Sequence, residues 1–156
     1  MWATILILNV YRDAVGTMYL VDTPVISEAR KGRQANDGIR KFFEQVRLAE
    51  QAVYLSVVTI GELRQGIENI KYRGDGTQAM ILENWLNIIL TEYNDYVLDF
   101  DRETAQIWGK LRVSYLGNIL AGQIAATALI HDLTVVSGNT NDFKACGVKL
   151  YNPFAV

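Results

Sequence analysis

Through most of the chain, short β-branched apolar runs alternate with longer stretches in which apolar residues recur every three or four positions. That alternation predicts βαβ units around a parallel sheet. Runs at residues 18–22, 52–58, 96–99, 133–137 and 148–151 read as strands. Between them, the spacing predicts helices over 37–49, 60–71, 77–93, 102–115 and 120–131. The first is the clearest, because Ile39, Phe42, Phe43 and Val46 fall on one helical face. Gly74, Asp75 and Gly76 punctuate the middle as a turn between two helices. No repeat, low-complexity tract or linker interrupts the pattern.

Residues 1–17 stand apart from it. Met18 can serve as the native start, which makes them a start-site extension; the other reading adds an edge strand at 4–10. The pattern favours the extension, leaving 18–156 as one domain. Half of the 156 residues are hydrophobic and 21% are charged, enough for one core without disulfides or a structural metal. The lone cysteine, Cys146, has no internal partner and fits a reducing compartment, with the cytoplasm as the default. The single histidine, His131, lies in an apolar helical stretch, so a Cys–His nucleophile is a poor reading. A net charge of −2 means that any nucleic-acid contact must be local rather than a bulk attraction. The apolar run at 3–8 is too short to span a bilayer and has no basic flank before it.

In open parallel sheets the functional crevice lies beyond the carboxyl ends of the strands. Asp22 ends the first strand, Glu62 enters the helix after the second, and Asp142 follows the strand ending at Ser137. Three carboxylates converging there would repel one another unless a cation sat between them. Oxygen-only donors favour Mg²⁺ or Mn²⁺ over zinc. The bland alternatives stay open: a strand-end aspartate also serves as a helix N-cap or turn former. Glu62, inside the apolar stretch 57–67, either faces a crevice or carries a burial cost. Arg30, Lys31, Arg33 and Arg64 can reach phosphates near such a crevice or form an ordinary solvated surface. Lys71 and Arg73 read as solvated helix-end charges.

Four segments carry a resemblance: MYLVDTPVISEARKG, LSVVTIGELRQGIE, GQIAATALIHDLTVVSGNTNDF and the ending GVKLYNPF. In this order they resemble PIN domains of the VapC toxin family, near its FitB-like branch, over 18–154. The resemblance implies a PIN-like α/β/α sandwich with a central, mostly parallel sheet of four to five strands. It implies a Mg²⁺- or Mn²⁺-dependent endoribonuclease toxin of a VapBC-type toxin–antitoxin system, with Asp22, Glu62 and Asp142 as catalytic metal ligands. Ser137 and Asn139 would orient the shell. The implied partners are RNA, a VapB-like antitoxin that inserts a segment into the crevice and offers an arginine, and a second copy in a homodimer.

The departures matter as much. Ala121 stands where the family usually has an aspartate before its IAATA helix, leaving a vacant acidic position. Pro24 replaces the usual Asn, and Gly138 interrupts the usual Thr-Arg-Asn. The expected consequence is an attenuated or inactive site, through natural decay or deliberate replacement; the changes at Pro24 and Gly138 favour decay. The rival from another class is a catalytically dead PIN domain that binds an antitoxin or dimerises. Ile81, Leu82, Trp85, Leu86, Ile88, Ile89 and Leu90 exceed what one helix face needs, so some are interface candidates. A third reading, a haloacid-dehalogenase-like phosphatase on Leu98-Asp99-Phe100-Asp101, founders on Glu103, which stands where that motif wants Thr or Val. Asp101 fits better as the cap of the next helix.

Overall fold

A computed structural model describes residues 16–155. Five short strands, β1 Tyr19–Val21, β2 Val53–Ser56, β3 Val97–Leu98, β4 Thr134–Val136 and β5 Lys149–Tyr151, form one parallel sheet. Their order is β3-β2-β1-β4-β5, with β1 at the centre. The helices are α1 Thr23–Ala29, α2 Asp37–Leu48, α3 Val57–Tyr72, α4 Gly76–Glu92, α5 Arg102–Ser114, α6 Ile119–Ile130 and α7 Thr140–Ala145. The expected α/β/α sandwich is therefore present, with an all-parallel sheet. The alternative strand at 4–10 lies outside the described residues.

Strand alternation divides the core into two layers. Val21, Val53, Leu55 and Val136 face one layer with Ile39, Phe42 and Leu86, whereas Leu20 and Val135 face the other with Ile124, Ala125 and Phe143. Leu20, Val21, Val135 and Val136 have no solvent exposure at all. This explains why the central strands read as unbroken apolar runs: both faces are covered. Gly38, in the first turn of α2, admits the C-terminal segment, since a Cβ there would lie 1.7 Å from the Pro153 carbonyl oxygen.

The predicted elements are present with two kinds of difference. The second strand stops at Ser56 rather than 58, because the Ser56 hydroxyl accepts from the Val58 amide and starts α3 at Val57, three residues before the expected position at 60. Two short helices, α1 and α7, were not anticipated. Asp101 does cap α5, accepting from the Thr104 amide and hydroxyl at 2.9 and 2.8 Å, which gives the phosphatase-like motif its structural explanation. On α4, Trp85, Leu86 and Ile89 enter the core, while Ile81, Ile88 and Leu90 remain exposed.

Candidate active site

The carboxyl ends of β1 and β4 abut, so the residues that follow them meet. Asp22 continues β1, donating its amide to the Val136 carbonyl, and is the N-cap of α1. One carboxylate oxygen accepts the Thr23 amide at 2.9 Å; the other accepts the Ser137 hydroxyl at 2.7 Å. The side chain is buried, and burial pushes its pKa up against the opposing pull of those two bonds. The cap reading of Asp22 is therefore borne out, and its place at the carboxyl end of β1 is compatible with a site role as well.

Glu62 reaches the same corner from α3. Its Oε1 accepts the Thr23 hydroxyl at 2.8 Å, and the Thr59 hydroxyl lies 3.0 Å from that same threonine oxygen. Partial burial raises the Glu62 pKa, the Thr23 bond opposes the rise, and the nearby Asp22 charge adds to it. Two like charges are thus held together with few donors between them.

Asp142, expected to converge with them, has separate partners. From the first turn of α7 it accepts the Tyr115 hydroxyl at 2.6 Å on one oxygen and the Asn139 side-chain amide at 2.8 Å on the other. The Tyr115 bond chiefly, then the Asn139 bond, lowers its pKa. Burial, reinforced by Asp142, pushes the Tyr115 phenol up to about 12. Ser137 links the two halves, because its hydroxyl donates to Asp22 and accepts the Asn139 amide at 2.9 Å. Among the described residues no group of three or more His, Cys, Asp or Glu side chains could hold a metal ion. The Asp22–Glu62 pair fits a hard divalent cation as a donor set; Asp142 is hydrogen-bonded on both oxygens, as Asp22 is, but to Tyr115 and Asn139, and it does not gather with the pair into a three-carboxylate group.

Ala121 is the third residue of α6, nearly buried, with its amide accepted by the Asn118 side chain at 2.9 Å. Beside it lies Tyr115, packed in the same apolar cluster. Gly138 lies under the Phe154 ring, to which a Cβ would come within 2.8 Å. Pro24 occupies an exposed position in the first turn of α1.

The candidate phosphate contacts divide. Arg64 gives both guanidinium ends to Glu83 at 2.7 and 2.8 Å, which lowers the Glu83 pKa to about 2. Lys71, expected to be merely solvated, joins that network through Glu68 and Glu83. Lys31 pairs with Glu28 at 2.7 Å but stays half exposed, while Arg33 is exposed. Arg30 and Lys31 line a groove with Thr23 and Glu62 whose wall includes Leu63 and Trp85. Cys146 is buried, and burial raises its thiol pKa, as expected of an inert core residue.

Sequence reasoning missed Thr23, Thr59 and Tyr115. The hydroxyl adjacent to Asp22 was a usable signal for Thr23. Nothing local marked Tyr115, whose partner lies 27 positions away.

The family model described as PIN domain matches residues 19–148. Toxin FitB of Neisseria gonorrhoeae is 35% identical over 144 residues, covering 88% of this chain and 99% of that protein. VapC ribonuclease Y4jK of Sinorhizobium fredii is 29% identical, covering 88% of this chain and 98% of the relative. The crystal structure of FitAcB from Neisseria gonorrhoeae superposes with a TM-score of 0.77 at 32% identity, over 89% of this chain and all of that one. With a family model that spans β1 to β4 and includes Asp22, Glu62 and Asp142, and with relatives covered over nearly their full length, the chain belongs to the PIN-domain family, among its FitB- and VapC-like members.

Proposed function

We propose that this chain is the toxin of a VapBC-type toxin–antitoxin system, with a Mg²⁺-dependent endoribonuclease site attenuated by the absence of an aspartate at Ala121. The observation that carries this is the Asp22–Glu62 pair, two carboxylates brought together through Thr23 at the carboxyl end of β1. Similarity to a toxin and to a VapC ribonuclease supports the substrate class. Asp22 and Glu62 would hold Mg²⁺ or Mn²⁺. When bound, such an ion supplies a lowered water pKa and neutralises charge building on a phosphodiester. Ser137 fixes the rotamer of Asp22, and Thr23 fixes that of Glu62. Arg30, Lys31 and Arg33 would position RNA phosphates; Arg64 could join them only by giving up Glu83.

The test is cleavage of single-stranded RNA with and without Mg²⁺, by the chain and by Asp22→Asn. Weak, metal-dependent cleavage that disappears in Asp22→Asn is the expected result. Cleavage that ignores both metal and Asp22 would contradict it.

A second reading, a PIN domain retained only as a binding module, is favoured by Asp142, which pairs with Tyr115 and Asn139 and does not join Asp22 and Glu62 in one group. An antitoxin segment would lie in the groove along α1, α3 and α4 and direct a cation at Glu62. Exposed Met80, Ile81 and Ile88 on α4 would supply a homodimer face. Stable antitoxin binding with no cleavage at any Mg²⁺ concentration would place this reading first. Among the described residues no helix is long and apolar enough to cross a membrane.

A further inference from the structure

Ala121 is the position where the expected carboxylate is missing, and the space beside it is not open. Helix α5 ends at Ser114, and Tyr115 folds back over the start of α6. Gly117 permits this: a Cβ there would come within 2.6 to 2.7 Å of the Tyr115 ring and hydroxyl. A Cβ at Gly122 would be 3.6 Å from the other side of the ring, so the phenol lies along the first turn of α6. Tyr115 and Ala121 are 6% and 7% exposed and share one apolar cluster. From there the hydroxyl reaches Asp142 at 2.6 Å, while Asn139 takes the second oxygen.

We infer that Tyr115 is a positioning residue that seals Asp142 beside the vacant corner at Ala121, so that restoring the aspartate alone does not rebuild a three-carboxylate metal site. The chemistry argues for this independently of helix preference. An aspartate at the third position of α6 would suit the helix N-terminus, so the helix itself does not call for alanine. What opposes it is local: a carboxylate at 121 would enter the packed apolar cluster that holds Tyr115, whose hydroxyl already satisfies Asp142. Alanine with tyrosine is a neutral, hydrogen-bonded solution to the loss of a cation-binding corner. Reopening it requires both the charge at 121 and release of the phenol bond. Changes at 115 and 121 must then be coupled, because both side chains lie in one packed cluster at the start of α6.

Resting as it does on the metal-site reading above, the inference is tested by Mn²⁺ binding, followed by electron paramagnetic resonance of the free ion. Four proteins are compared: the chain itself, Ala121→Asp, Tyr115→Phe, and the double variant, with thermal unfolding of each as a check on folding. Each single variant is expected to change Mn²⁺ affinity by no more than about threefold, and the double variant to bind at least about tenfold more tightly than the product of the single effects predicts. Ala121→Asn in the Tyr115→Phe background controls for side-chain size and should give no gain. Should Tyr115→Phe fold poorly with Asp at 121, Tyr115→Leu removes the hydroxyl with a smaller side chain, and the same coupling is required of it. Additive effects, or a full gain from Ala121→Asp alone, would overturn the role of Tyr115 while leaving the metal site standing. If none of the four binds Mn²⁺, the metal-site reading falls and this inference falls with it.

Discussion

Two halves of one crevice solve the problem of burying carboxylates in opposite ways. At the end of β1, Asp22 and Glu62 sit close together with raised pKa values, Asp22 mainly because it is buried and Glu62 through burial plus the charge of Asp22. At the start of α7, Asp142 is satisfied by Tyr115 and Asn139, and its pKa is lowered. The first half stores repulsion that a cation would relieve; the second has already been relieved by neutral donors. On the function proposed above, an alanine at 121 in place of a carboxylate therefore need not disable the whole site evenly. On that reading it would leave one half able to take a metal and the other closed.

The largest expected effect separates the halves by activity. Asp22→Asn should reduce any Mg²⁺-dependent RNA cleavage by at least about 100-fold, beyond the range usual for supporting groups. Asp142→Asn should reduce it less than about tenfold, since Tyr115 and Asn139 hold it outside the Asp22–Glu62 pair; equal losses in a cleavage time course would erase the distinction. Next in size is Ser137→Ala, which strips a hydroxyl from the buried Asp22 carboxylate. The cost should be about 1–3 kcal/mol by urea denaturation. Tyr115→Phe removes one donor from the less buried Asp142 and should cost about 1 kcal/mol. The smallest effect has the opposite sign: Glu62→Gln should stabilise by a few tenths of a kcal/mol, because it removes a half-exposed like charge.

The pH dependence follows from the same contrast. For Asp22 and Glu62 the folded state holds its protons more tightly than the unfolded chain, so their contribution to stability falls as pH rises through the raised folded pKa values. For Asp142 the stabilisation is present above the unfolded pKa and is lost as pH falls through the lowered folded value. Asp142→Asn should flatten the acid limb of a stability curve measured by urea denaturation, whereas Glu62→Gln should reduce the decline on the neutral side.

Much of this was legible in the chain. The unbroken apolar runs at β1, β2 and β4 announced strands covered on both faces, and Ile39, Phe42, Phe43 and Val46 announced α2. The short helices were not, because α1 and α7 are only 7 and 6 residues long and too brief for a period to emerge. For α1 a signal existed: an aspartate cap followed by proline in the first turn is a helix start. Asp22 and Glu62 were found because strand ends in a parallel sheet point to the crevice. The separate fate of Asp142 was not legible, since it depends on a long-range contact from Tyr115, a residue that local pattern assigns only to the end of a helix. Likewise, Arg64 was readable as a cation near Glu62 but not as the partner of Glu83 on the next helix.

The division of the crevice is tested most directly by a carbon-13 NMR titration of the side-chain carboxyl groups in the metal-free protein, assigned through Asp22→Asn, Glu62→Gln and Asp142→Asn. Asp22 and Glu62 are expected to titrate above the ordinary values of 3.8 and 4.5, and Asp142 below 3.8. If Asp142 instead rises together with the other two, the three carboxylates form one mutually repelling cluster, and the account of an open half beside a sealed one is wrong.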